Sequence, residues 1–167
     1  IVDGGYYDLI ARCLLQGSGH SLFPPQPDGF WPPLYPYFLS IWYALLGYNL
    51  QLARLAQAFL GALAACFFFL IAASAFKRPV ALLAGLGLAI YPYLVYFGAW
   101  LIAEALFLAL FAAALWLLSL AARRWQVRYL LRAGVLLGLS ALAKPTTLFF
   151  MPFIALWLFL APENIPL

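Results

Sequence analysis

Glu104 is the only acidic residue between Phe30 and Leu160, and it stands among Leu101, Ile102, Ala103 and Ala105. An ionisable group inside or beside a membrane span is costly, so it marks a functional position by default. The plainer alternative is an end-of-helix acid that favours a helix N-terminus and snorkels to water. Lys144 precedes Pro145 and follows the small-residue segment Gly134-xxx-Gly138-xxx-Leu142. Its compact ammonium suits a phosphate as a point charge, and it suits an interface anchor equally well. Asp3, ahead of Gly4 and Gly5, stands at the start of an amphipathic segment, where capping a helix is the commoner role. Asp8 and Arg12, four residues apart, read as a surface pair. His20 has neither a second His nor a Cys pair beside it, which speaks against a metal ligand set. Asp28 after Pro27 reads as a turn residue. Gly85-x-Gly87 and Gly134-xxx-Gly138 lie inside apolar runs and read as helix-packing positions. No nucleotide-binding loop or nucleophile elbow is present.

The elements that must position these groups are apolar. Hydrophobic residues make up 68% of the chain, charged residues 8%, and mean hydropathy is +1.00. A soluble domain carries roughly 25% charged residues, so this chain cannot cover a water-facing surface. The composition predicts an all-α polytopic bundle of about five spanning helices with additional interfacial helices. Trp and Tyr near the ends of apolar runs suit a membrane interface. The net charge of +4 resides in short connectors. No basic stripe with interleaved aromatics is present, so nucleic acid is not an expected partner. Cys13 and Cys66 lie far apart, and a disulfide framework is not expected.

Residues 1–32 are the polar part, and residues 1–50 together read as an outer-face loop with amphipathic and juxtamembrane helices, ahead of a transmembrane bundle over 51–167. Tyr6 to Gln16 reads as a short amphipathic helix closed by Gly17-Ser18-Gly19. Pro24, Pro25, Pro27, Asp28 and Gly29 make an irregular loop. Leu34 to Leu46, closed by Gly47, is about a dozen residues long, whereas a span needs roughly 20. It therefore reads as an interfacial, non-crossing helix. Residues 51–167 hold five apolar runs, at 52–76, 80–97, 101–122, 129–143 and 146–160, with a kink expected at Pro92. The chain opens on Ile1, shows no signal peptide and stops just after an apolar run at Ala161-Pro162-Glu163-Asn164, which reads as part of a longer polytopic protein.

Basic connectors prefer the cytoplasm. Lys77-Arg78 and the group Arg123, Arg124, Arg128 and Arg132 then fall on one side, provided that Leu34–Leu46 does not cross. Four of the five acidic residues, all but Glu163, reach the other side, and so does Lys144. Asp3, Glu104 and Lys144, from three distant segments, are expected to converge on that outer face.

The ordered segments Asp3-Gly-Gly-Tyr-Tyr7-Asp-Leu-Ile-Ala11, Leu14-Leu-Gln-Gly17, Trp31-Pro-Pro-Leu-Tyr-Pro36 and Leu45-Leu-Gly47 resemble the first outer loop of GT-C glycosyltransferases. The resemblance is to the protein-mannosyltransferase and aminoarabinose-transferase branch. Arg54-Leu-Ala-Gln57, Tyr91-Pro92, Ala103-Glu104-Ala-Leu-Phe107 and Gly138-Leu-Ser-Ala-Leu-Ala-Lys144-Pro145 continue the pattern. The resemblance implies a multi-pass protein of the plasma (bacterial inner) membrane. It further implies a polyprenyl-phosphate-linked sugar donor in the lipid bilayer and transfer on the outer face to an acceptor not named by the residues. Asp3 matches the family's first-loop acid, a general base or acceptor-orienting group. Glu104 matches the acid of the next outer loop, and Lys144 the cation that holds the lipid phosphate. Tyr7, Arg12 and Arg54 join Lys144 as expected substrate contacts. The chemistry requires no cofactor, because phosphate leaves as a stable anion, and it leaves room for a divalent metal. The chain departs from the family at two points: Gly4 stands where many members have a second carboxylate, and Trp31 where many have Lys or Arg. The competing readings are a transporter or flippase segment, which would place its polar groups at the bilayer midplane, and a non-catalytic membrane subunit.

Overall fold

A computed structural model describes residues 3–124 and 126–160, with the side chains of all of these but Asp3 and Phe97. Glu163 lies outside the described residues. The described chain is helical: α1 (Asp3–Leu15), α2 (Leu34–Leu46), α3 (Leu50–Ala75), α4 (Arg78–Ala89), α5 (Pro92–Gly98), α6 (Glu104–Arg124), α7 (Val127–Ala143), a 3-10 turn (Pro145–Phe150) and α8 (Met151–Leu160).

Local chemistry explains most boundaries. Gly17 at φ +76° and Gly19 at φ +78° follow α1, and Gly47 at φ +77° ends α2, a conformation that costs a Cβ-free residue little. Asn49 caps α3, its Oδ1 accepting from the amides of Gln51 and Leu52 at 2.9 and 3.3 Å, which satisfies two otherwise orphaned donors. The expected kink falls just before Pro92, splitting the second run into α4 and α5 at Ile90–Tyr91, because Pro disfavours helical backbone in the residue before it. Pro145 acts likewise on Lys144, whose backbone is extended at φ −151°, ψ 114°.

Among the described residues three helical segments are long and apolar enough to cross a membrane: Leu50–Ala75, Arg78–Tyr96 and Glu104–Arg124. The last two of the five expected runs form shorter helices. Even so, α7 returns along the whole of α6. Arg124 and Arg128 both reach Tyr129 Oη at 3.4 Å at one end, and Lys144 meets Glu104 at the other. The last segment runs back again, with Phe150 edge-on to Phe111 and Trp157 sharing a small cavity with Leu118 and Ala122.

Alanines line the helix contacts, with Ala64, Ala65, Ala81, Ala109, Ala112, Ala114 and Ala133 buried, since small residues let backbones approach where lipid offers no hydrophobic drive. Gly85 belongs to this set, because a Cβ there would stand 2.9 Å from Phe69 Cβ and 3.2 Å from the Ala65 carbonyl. Gly134 and Gly138 do not: nothing lies within 4 Å of where their Cβ atoms would be. The expected glycine contact on α7 is replaced by a buried face of Ala133, Leu137 and Ser140. Sequence spacing could not tell this face from its neighbour one residue away.

The larger side chains pack at one end of the bundle, where Tyr7, Ala11, Tyr35, Leu39, Tyr43, Ala53, Leu101, Leu106 and Ala143 form a core cluster. Tyr35 and Tyr43, from both halves of α2, sit in it, so α2 stays at this end and does not run the length of the bundle.

Candidate active site

Glu104 opens α6, where the helix dipole favours a carboxylate. Lys144 stands at the corner between α7 and the 3-10 turn. The corner is fixed by three hydrogen bonds: the Lys144 amide donates to the Ser140 carbonyl at 2.8 Å, the Thr147 amide to the Lys144 carbonyl at 3.2 Å, and the buried Ser140 and Thr147 hydroxyls bond at 2.8 Å. From this corner Lys144 Nζ donates to Glu104 Oε1 at 2.7 Å, with the two side chains 36% and 25% exposed. Lys144 also lies 5.9 Å from the centre of the Phe107 ring. The pair joins residues forty positions apart at the same end as α1 and α2. The second oxygen of Glu104, Oε2, makes no hydrogen bond among the described residues.

The start of α1 lies beside this pair. A Cβ on Gly4 would stand 3.1 Å from the Leu101 carbonyl oxygen, so the first turn of α1 rests on the backbone just ahead of Glu104. The Asp3 side chain, and with it the expected capping or base role, lies outside the described residues.

A cavity of about 600 Å³ opens between α3, α4, α5 and the first turn of α6. Its body is apolar, with Leu55, Ala58, Ala62, Leu88, Leu94 and Leu108 among its walls, and Gln51, Arg54, Gln57 and Glu104 supply its polar groups. Arg54 is exposed. Helix α2 does not line this cavity.

The remaining expected site residues are placed differently. Tyr7 is buried at 7% exposure, edge-on to Trp31 and to Tyr35 with ring centres 5.1 and 5.0 Å away. Trp31, at the position where a cation is common in the resembled family, is stacked on Tyr6 at 5.2 Å. Arg12 is committed to Asp8 at 3.1 Å and lies over the Tyr48 ring. The expectation of a surface pair is corrected here, because Asp8 is only 8% exposed and accepts from Tyr43 Oη at 2.8 Å and Tyr48 Oη at 3.2 Å. Burial and the Asp8 carboxylate push both phenols above their ordinary pKa, so they remain donors. This network ties α1 to α2. Asp28 is a turn residue as expected, its Oδ1 accepting from the Phe30 amide at 2.8 Å. Among the described residues no three His, Cys, Asp or Glu side chains are grouped to hold a metal.

Sequence reasoning named Gln57 only as the end of the Arg54–Gln57 segment and gave it no role. It is 1% exposed, accepts from Tyr35 Oη at 2.8 Å, and donates to the carbonyls of Trp100 at 2.9 Å and Ile102 at 3.1 Å. The signal was a lone amide in an apolar run, in helical register with the buried Ala53 and Ala64.

The chain is thus a helical bundle of membrane type with a carboxylate–ammonium pair at one end, beside a largely apolar cavity. Residues 31–165 match the family model of the dolichyl-phosphate-mannose-protein mannosyltransferases. The chain belongs to that family and is a membrane glycosyltransferase of the GT-C type. No curated protein matches the chain, and no solved structure does. The matched residues include Arg54, Glu104 and Lys144 and leave out Asp3, Tyr7 and Arg12.

Proposed function

We propose that the protein moves a sugar from a polyprenyl-phosphate-linked donor to an acceptor hydroxyl or amine at the end of the bundle that carries Glu104 and Lys144, and that this end faces the extracytoplasmic side. The observation that carries the reading is the cavity whose walls are largely apolar and whose lining includes Arg54 and Glu104, with Lys144 bonded to Glu104 at 2.7 Å. Apolar walls suit a prenyl chain, and cations beside them suit its phosphate. The basic connectors at the opposite end support the orientation.

In the proposed reaction a lone pair of the acceptor attacks the anomeric carbon. The bond from that carbon to the phosphate oxygen breaks with inversion, and polyprenyl phosphate leaves with the electron pair. Asp3 takes the acceptor proton. Lys144 and Arg54 offset the charge that grows on the leaving phosphate. Glu104 keeps the Lys144 ammonium in place through Oε1 and presents Oε2 to the acceptor.

Ala58 tests the reading without touching a charged group, since it lines the apolar part of the cavity. Ala58→Phe should raise KM for the lipid-linked donor about tenfold, a loss of ~1.4 kcal/mol of binding, with KM for the acceptor unchanged. An unaltered donor KM in a folded variant would place the lipid elsewhere.

A further inference from the structure

Gln57 is the sole polar residue among the buried positions of α3, and its hydrogen-bonding capacity is spent on two other elements. Its Oε1 accepts from Tyr35 of α2. Its Nε2 donates to two carbonyls, those of Trp100 and Ile102. Only this orientation of the amide satisfies all three partners, because both carbonyls need a donor and the phenol needs an acceptor.

The two carbonyls belong to the non-helical stretch between α5 and α6. Backbone groups outside a helix need partners when they lie in an apolar bundle. Within the stretch the Ile102 amide donates to the Trp100 carbonyl at 2.9 Å, closing a tight turn that Gln57 holds from one side. Leu101, Ile102 and Ala103 are buried, and Glu104 follows directly as the first residue of α6. The turn therefore fixes where the carboxylate stands and whether it meets Lys144 at 2.7 Å. An apolar side chain of similar size would fill the same space. What the amide adds is two donors aimed at carbonyls two residues apart.

We propose that Gln57 is a positioning residue for the transfer reaction: it pins the Trp100–Ala103 turn and thereby sets Glu104 against Lys144. The inference rests on the reading of Glu104 as part of the transfer site. Its bond to Tyr35 couples the same turn to α2.

The test uses the full chain reconstituted in liposomes with a polyprenyl-phosphate sugar as donor. Gln57→Met keeps the volume and removes every hydrogen bond. Gln57→Glu keeps an acceptor for Tyr35 and loses the two donors. Tyr35→Phe removes only the link to α2. Both Gln57 variants should lower kcat by about tenfold to a hundredfold, the scale of a small misplacement of a reacting group, with donor KM changed less than about twofold. Tyr35→Phe should stay within about twofold of wild type on the same scale. In a Glu104→Gln background, Gln57→Met should add no further loss, because a residue that acts through Glu104 has nothing left to position. Equal losses in both backgrounds would show Gln57 acting apart from Glu104, and a rise in donor KM that accounts for the loss would show it holding the donor; either result would overturn the proposal. Wild-type turnover in both Gln57 variants with a slow Glu104→Gln enzyme would sink this inference and leave the site reading standing. Wild-type turnover in Glu104→Gln would sink both. If Gln57→Met fails to insert, the Gln57→Glu variant alone decides between these outcomes.

Discussion

Lys144→Met is expected to lower sugar transfer by about 100- to 1000-fold, the usual cost of removing one preorganised group that stabilises charge developing in a transition state. The fall should lie mainly in kcat, since the phosphate carries more negative charge as it leaves than while it is bound to the sugar. The substitution also strips Glu104 of its partner. A carboxylate that is 25% exposed and bonded at 2.7 Å would then stand alone at the head of an apolar bundle. The double variant Lys144→Met with Glu104→Gln separates the two effects. Recovery of folding stability without recovery of turnover identifies Lys144 as a transfer group, whereas recovery of both makes the pair a structural bond. Lys144→Arg should retain part of the rate, because the charge remains while the point geometry changes. Initial rates with defined lipid-linked donor measure all three.

Asp3→Asn is expected to cost about 100- to 10,000-fold in turnover, the range for a general acid–base group, while membrane insertion and elution behaviour stay unchanged. The amide is the same size and cannot take a proton from the acceptor. Donor KM should be preserved, since the proposed donor contacts are Arg54 and Lys144. Wild-type turnover in the variant would remove Asp3 from the mechanism and leave Oε2 of Glu104 as the group nearest the acceptor.

Chain order and composition were enough to read the elements and one end of the site. Leu34–Leu46 was legible down to its bounds because prolines precede it and Gly47 follows. The break before Pro92 followed from the ring's effect on its neighbour. The meeting of Glu104 and Lys144 was legible as parity: two helices running in opposite directions, α6 and α7, separate them, so they return to one end. Contacts between side chains distant in sequence were not legible. Asp8 and Arg12 looked like an exposed pair because spacing shows only their own helix, whereas Tyr43 and Tyr48, 35 and 40 residues on, bury the carboxylate. The Gly134-xxx-Gly138 spacing matched a packing motif, yet the helix turned Ala133, Leu137 and Ser140 inward instead. Gln57 was named only as part of the Arg54–Gln57 segment and given no role, because an amide carries no charge to stand out, although its three partners make it the junction between α2, α3 and the turn that delivers Glu104. Trp31, where the resemblance would put a cation, is stacked on Tyr6 and edge-on to Tyr7, while Arg54 lines the cavity and Lys144 bonds to its acid.

The proposed transfer requires that the cavity and the Glu104–Lys144 pair hold a lipid-linked donor. The most direct measurement is single-turnover transfer by the full chain in liposomes, with the same sugar offered on a polyprenyl phosphate and on a soluble nucleotide, each with and without free polyprenyl phosphate. A site for a lipid-linked donor gives transfer from the polyprenyl donor alone, competitive inhibition by polyprenyl phosphate, and loss of that inhibition in Lys144→Met. Transfer from the nucleotide sugar, or inhibition that is indifferent to Lys144, would contradict it.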